Sequence, residues 1–551
     1  MTGKPSATIL GGGIAGLTAA HELVRRGFSV DVYERNPIAG GMARTKNAGP
    51  DGLSLPVEMG WRGYGAAYHN LFEIMREIPA GEGRTVRDNL KRLRCVNPAN
   101  DDTTDTVNAI LSLTSHTLTT RERWVVLNEV FRSFTSCNQR LEQRDDVSWS
   151  EAVYHRPAGL SEKGYKYAVH SLGPYLGYTS ERCNVSGVTA FAERQLSVAP
   201  NFEFFQATAP TSEAWFDHWI ADLRQRGVRF HFNARVVDIV PADETIESVV
   251  IHNGSGLQTI RSDHYVCALS IEAIAALVES RPHLNALRDL VPLAQRGHQI
   301  MLSVQYFLDR RVDLDYPYTV HGVYLPDSPW AIMIQAQAGA WEGNVDLPAR
   351  SEGRVRDVWS VGICVTDRPG IRIRKSFVDC TPAEVEEEAW AQVLASEGLV
   401  AAARPEGGGT LRDVQVAGFY MWDSFAVTDG KLQSWEPRWT NNTGTLRLRP
   451  GNRTAFANLW LAGAYTRTDI EIYCMEGACE SGRRAAAAIA DGVQVRRHPR
   501  TMPLLFGPLR LLDRFLLSLG LPHAGTLTGG SVLLLILYIA ACIAAIAWFL
   551  S

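Results

Sequence analysis

Residues 7–36, ATILGGGIAGLTAAHELVRRGFSVDVYERN, constrain this chain more than any other stretch. A short apolar run from Ala7 to Leu10 enters Gly11-x-Gly13-x-x-Gly16. A helix-period segment follows, with Leu17, Ala20, Leu23 and Val24 on one face, and SVDVY then supplies a second strand ending at Glu34. In such a unit Gly11 allows the tight turn, Gly13 lets the backbone approach a pyrophosphate, and Gly16 lets helix and sheet pack closely. The helix N-terminus turns unpaired N–H groups and a positive dipole end toward the phosphates. Glu34 stands where a carboxylate can accept from the ribose hydroxyls. The expectation is an α/β fold with a Rossmann-type dinucleotide site that uses Gly11, Gly13, Ile14, Ala15, Gly16, Glu34 and Arg35.

At 551 residues the chain is too long for one core, so two or more domains are expected. A net charge of −4 with no basic block argues against a nucleic-acid partner. The nine cysteines are scattered without a CxxC pair or zinc spacing, so no metal site is predicted. The opening MTGKPS runs directly into the first strand, which predicts no signal peptide.

The C-terminal stretch SVLLLILYIAACIAAIAWFL (531–550) has a different character. It carries no charge, and as a helix it would span about 30 Å, which predicts a transmembrane helix with Trp548 near an interface. Arg496, Arg497, Arg500, Arg510 and Arg514 precede it, so the positive-inside bias predicts a single-pass tail anchor with the body in the cytoplasm. Just before it, PLLFGPLRLLDRFLLSLGL repeats Leu505, Leu509, Leu512, Leu516 and Leu519 at helical spacing while Arg510, Asp513 and Arg514 point away. Residues 496–530 are therefore expected to form an amphipathic segment on membrane lipid.

The dinucleotide unit is expected to be discontinuous: 1–75, then 211–275, then 440–495. The remaining 76–210 and 276–439, rich in aromatics and alternating strands such as QIMLSVQYFLD, read as an inserted α+β substrate domain.

Three blocks of sequence carry a resemblance. The first is 7–45, where Gly40-Gly41-Met42-Ala43-Arg44-Thr45 follows Glu34. The second is VEMGWRGYGAAYHNLFEIM (57–75), and the third is LAGAYTRTDIEIYCMEGACESGRRAA (461–486). Together they resemble the FAD-dependent amine oxidase/phytoene desaturase superfamily, with the nearest likeness to plant- and cyanobacterial-type carotene desaturases. The resemblance implies FAD as cofactor. It implies that Gly41, Met42 and Arg44 lie near the pyrophosphate, Val236 near the adenine, and Gly60, Trp61, Gly463, Met475 and Glu476 near the rest of the flavin. The family's base in the Gly-Gly-Arg/Lys pattern is Met42 here, its aspartate after Leu-Ala-Gly is Ala464, and its histidine in the second block is Arg62.

In the resembled family the flavin accepts a hydride from an activated C–H. Arg62, Tyr465, Arg467 and Tyr473 are the candidates near the ring. The implied activity is desaturation of an isoprenoid or carotenoid-like polyene. The lipophilic substrate would come from the membrane, and quinone or oxygen would be the electron acceptor. Three alternatives stay open: a redox-neutral carotenoid isomerase, an FAD-dependent amine oxidase, and a flavin-loaded membrane protein without turnover that acts as a partner or scaffold. The amine oxidases usually carry an aromatic residue before Met-Glu-Gly, where this chain has Cys474.

Overall fold

The computed structural model describes residues 4–49, 52–93, 95–96, 118–154, 159–173, 179, 181–198, 203–316, 321–341, 343–500 and 502–550; the side chains of 95–96, 302 and 546–550 lie outside the description. Five parallel strands form the first sheet: β1 (Ser6–Leu10), β2 (Ser29–Tyr33), β3 (Arg229–His231), β4 (His264–Cys267) and β5 (Leu459–Leu461). Their spatial order is β5-β4-β1-β2-β3. The order reverses between β1 and β4, and such a reversal leaves a crevice beyond the carboxyl ends of the strands. Helix α1 (Ile14–Val24) leaves β1 through the glycine turn, and helix α2 (Met475–Ile489) packs against it. Small residues allow that approach: a Cβ on Gly482 would fall 2.4 Å from the Ala15 carbonyl oxygen.

A hairpin of strands, Arg235–Ala242 and Thr245–Asn253, with Gly256–Ile260 beside it, forms a separate three-stranded sheet. A six-stranded sheet is built from the segments the sequence assigns to the insertion. In order it runs Val416–Tyr420, Leu302–Leu308, Asp357–Ile363, Met333–Ala336, Gly322–Tyr324 and Cys95–Val96. Its apolar side, including Val304, Ile334, Val361 and Trp359, forms one core. A larger core joins α1 and α2 to helices Thr120–Thr135 and Val185–Val198.

The C-terminal helices differ from expectation. Helix α3 (Pro503–Ser518) forms, but Asp513 and, in part, Arg510 face the body, while Arg514 is exposed. Asp513 is fully buried; it takes the Arg140 Nε–H at 2.7 Å on one oxygen and the Cys137 backbone N–H at 2.8 Å on the other. Arg510 donates to the Phe134 carbonyl at 2.8 Å, and Arg500 donates to the Ser136 and Ser133 carbonyls at 2.8 Å each. These carbonyls close helix Thr120–Thr135, whose last turn lacks the full set of intrahelical donors and carries a negative dipole end. Arg500 and Arg510 therefore serve as its C-terminal partners and also pair with Glu193. Arg496 likewise pairs with Glu73 at 2.7 Å. Its apolar side chains are divided: Phe506 and Leu509 are buried, whereas Leu504 is 92% exposed, Leu511 67% and Phe515 59%.

The tail anchor is also corrected. Among the described residues no helix is long and apolar enough to cross a membrane. Residues 531–550 do form helix α4 (Ser531–Leu550), whose described side chains reach residue 545, short of Trp548. Its first turns rest on the body rather than projecting from it. Val532 donates its N–H to Asn128 Oδ1 at 3.1 Å, and Leu534 is buried with Leu509 and Ala524.

Candidate functional site

The crevice beyond β1 and β4 opens into a cavity of about 790 Å³. Gly11 has φ +106°, and a Cβ there would sit 2.7 Å from the Ala268 carbonyl oxygen. A Cβ on Gly16 would fall 2.0 Å from the Gly11 oxygen, so Gly16 serves packing and does not line the cavity. A Cβ on Gly13 would meet nothing nearer than the Gly41 Cα at 3.8 Å. The floor at Gly13 is therefore open to a ligand. Ile14 and Ala15 line the cavity at the first turn of α1, where backbone N–H groups lack helical partners. Glu34 is buried at the end of β2, with one oxygen accepting the Gly12 N–H at 2.8 Å and the other the Asn36 N–H at 2.9 Å.

Arg35, Gly41, Met42, Arg44 and Val236 line the same end. Arg35 and Arg44 each place a guanidinium nitrogen 2.8 Å from Glu436, one on each carboxylate oxygen. Arg44 is buried and lies over the Trp422 ring at 5.0 Å. It is fixed by protein partners and still borders the cavity.

The opposite end is bounded by Gly60, Trp61 and Arg62 on one side and by Gly463, Tyr465, Tyr473 and Met475 on the other. Met59, Met301, Phe191 and Phe204 add apolar wall. Arg62 is held by Glu58 at 3.0 Å and by the Met42 carbonyl at 2.8 Å. Tyr473 directs its hydroxyl to the Met42 sulfur at 3.5 Å. Burial pushes the Tyr473 phenol and the Cys474 thiol each up to about 12, and it raises the Tyr465 phenol well above its ordinary value. All three stay protonated at neutral pH, so none is a ready base. Cys474 is the N-cap of α2, its sulfur accepting the Gly477 N–H at 3.4 Å.

Two sequence candidates lie elsewhere. Arg467 is half exposed, 3.4 Å from Glu142, and donates to the Arg449 carbonyl at 3.0 Å, outside the cavity. Glu476 is buried and turned away from the cavity. Its oxygens accept the backbone N–H groups of Asn70 and Leu71 at 2.9 Å each, and its Oε1 lies 2.7 Å from His498 Nε2. It thus satisfies the first turn of helix His69–Glu77, a partner no local sequence rule predicts.

Among the cavity residues that carry no sequence signal, two are charged or titratable and stand near Tyr473. Glu272 lies in the first turn after β4, and burial pushes its carboxyl up to about 7. Arg438 enters from the short strand Arg438–Trp439. Neither belongs to a motif, and only the folded chain brings them to Tyr473.

Comparison with known proteins gives a consistent family. The family model for flavin-containing amine oxidoreductases matches residues 14–299 and 428–490. Zeta-carotene desaturase of Synechocystis sp. is 23% identical over 522 residues, covering 87% of this chain and 96% of that protein. The Zea mays zeta-carotene desaturase is 22% identical, covering 88% and 83%. Among solved structures, cyclohexylamine oxidase from Brevibacterium oxydans aligns with TM-score 0.53 at 16% identity, covering 88% of this chain and 99% of that one. An oxidoreductase from Methanosarcina mazei aligns with TM-score 0.53 at 15% identity, covering 87% and 98%. At these identities the structural likeness concerns the fold alone.

Proposed function

Because the chain belongs to the family of flavin-containing amine oxidoreductases, and is thereby an FAD-dependent oxidoreductase, we propose that it oxidises a lipophilic, isoprenoid or carotenoid-like polyene. The observation that carries this reading is the cavity, which joins a dinucleotide-type crevice at one end to an apolar chamber at the other. Similarity to zeta-carotene desaturases across most of both chains supports the substrate class.

In this reading 1–75, 211–275 and 440–495 bind FAD, and 76–210 with 276–439 enclose the substrate. Glu34, Arg35 and Val236 hold the adenosine half. The N–H groups of Ile14 and Ala15 meet the pyrophosphate above Gly13, with Gly41, Met42 and Arg44 closing over it. Gly60, Trp61, Gly463, Tyr465, Tyr473 and Met475 surround the ring. FAD, when bound, supplies the two-electron acceptor for C–H oxidation. The chain's own part is to orient and to exclude water. Arg62, clamped by Glu58, fixes the wall at Met42, and the apolar side chains align a flexible hydrocarbon. The α2 N-terminus favours negative charge arriving at that end.

Membrane lipid enters as the source of substrate. The outward leucines of α3 would seat the protein on a bilayer surface, where quinone, one candidate acceptor beside oxygen, also dissolves. The test is anaerobic addition of a polyene to the detergent-purified protein. Bleaching of the yellow flavin band, reversed by quinone, is expected. Isomerised product formed by pre-reduced protein without any acceptor would replace desaturation with isomerisation.

A further inference from the structure

Arg438 is a charged group that the fold leaves without a counter-charge. Its strand pairs with His298–Gln299, and the side chain reaches into the apolar end of the cavity, with its guanidinium carbon 6.0 Å from the Tyr473 ring centre. Its Nε–H is buried without a hydrogen-bond partner. Other arginines of the cavity are neutralised, Arg35 and Arg44 by Glu436 and Arg62 by Glu58. Among the described residues no carboxylate pairs with Arg438. The groups that act on it are Tyr473, Cys364, Arg62 and Tyr68, none of them acidic at neutral pH.

A guanidinium does not lose its proton in a protein. A half-buried charge whose Nε–H is enclosed without a partner is costly, and it persists where the site's work brings a complementary charge. Tyr473 directly precedes the N-cap of α2, so the cation and the positive end of that helix address the same place. A hydrocarbon substrate brings no charge there.

We propose that Arg438 offsets the negative charge of the reduced flavin at the Tyr473–Met475 end of the cavity and so raises the reduction potential of the bound cofactor. This rests on the FAD reading above.

The test compares the FAD-loaded protein with Arg438→Met and Arg438→Lys, reading FAD content, the dissociation constant for sulfite and the midpoint potential. Arg438→Met is expected to keep FAD, weaken sulfite binding at least tenfold and lower the potential by about 30 mV, the two-electron equivalent of tenfold. Arg438→Lys should recover part of both. If Met does not fold, Arg438→Gln carries the same comparison. Unchanged sulfite affinity and potential in a flavin-loaded neutral variant would overturn the proposal. So would unchanged flavin properties with loss of benzoate binding, which would assign the anion to a ligand. Failure of the FAD reading is distinguishable, because the unsubstituted protein would then purify without flavin.

Discussion

The glycine-turn unit and the C-terminal helix pair are both written as apolar patterns, yet only one folds as its pattern reads. In the first, β1, α1 and β2 bury their apolar faces, and Glu34 at the end of β2 borders the cavity. In the second, α3 buries Asp513 beside Phe506 and Leu509, turns Arg510 toward the body, and exposes Leu504, Leu511 and Phe515. The difference lies in what each element packs against. A strand or helix meeting an apolar sheet must present apolar side chains. A helix meeting the open C-terminal end of another helix must first satisfy carbonyls, and arginines do that. Amphipathicity therefore does not tell which polar side chains a helix turns inward beside its apolar ones.

The largest expected effect separates folding from binding within the first region. Gly13→Val has room in the protein but fills the floor of the crevice, so it should fold and retain no FAD. A flavin-loaded Gly13→Val protein would break the assignment. Next comes the second region: Asp513→Ala strands Arg140 in the interior and should cost about 3–5 kcal/mol, measured by denaturant unfolding. A loss near zero would mean that the inward polar face is not structural. Glu34→Ala is expected to weaken FAD binding by about 1.5–3 kcal/mol, the range for hydrogen bonds to a charged group, read by titration of the apoprotein.

A pH series should set the two regions against each other. Glu272, in the cavity, has its carboxyl raised from 4.5 to about 7 by burial, so between those values the folded state keeps a proton that the unfolded state has lost. Its contribution to stability falls as pH rises through that window. His523, between α3 and α4, is pushed down from 6.5 to about 4 by burial, with Asp513 4.0 Å away opposing the shift. There the unfolded state gains the proton first, and stability falls as pH drops from about 6.5 toward 4. In apoprotein melts Glu272→Gln should remove the first slope and His523→Gln the second; unchanged slopes in both would refute the contrast. The smallest effect on stability belongs to the outward leucines. Leu504→Ser with Leu511→Ser should shift stability by no more than about 0.5 kcal/mol while reducing binding to phospholipid vesicles. Undiminished vesicle binding would remove α3 from the membrane-surface reading.

What the sequence made legible was local. The glycine spacing predicts the turn, the first helix and Glu34, because each requirement lies within one strand–turn–helix–strand unit. The resemblance blocks name many of the cavity residues, and the fold explains why the blocks occur together. Thr45 of the first block bonds Glu58 of the second at 2.5 Å, and Asn70 of the second bonds Glu476 of the third at 2.8 Å. The inward Glu476, the capping arginines and the pair Glu272 and Arg438 were not legible. Each acquires its role from a partner far along the chain, and neither periodicity nor spacing encodes such a partner. For the tail, hydropathy alone suggested a spanning helix, but a helix that begins by packing on Asn128 and Leu509 is bound by contacts that hydropathy does not contain.

The sheet order has a kinetic consequence. β1 lies between β2, its near neighbour in sequence, and β4, and the Ser6–Asp263 hydrogen bond beside that second pairing joins residues 257 positions apart. β5, beyond β4, comes from residues 459–461. On a ribosome the glycine turn emerges well before the wall opposite it, which awaits residues 459–461. Long-range parallel pairing of this kind folds slowly and leaves strand edges exposed meanwhile. An element made early in this order is thus completed late. A nascent chain stalled before residue 459 should lack the edge strand and bind no flavin, and cofactor loading should act as a late checkpoint that draws the assembled sheet out of its aggregation-prone intermediates.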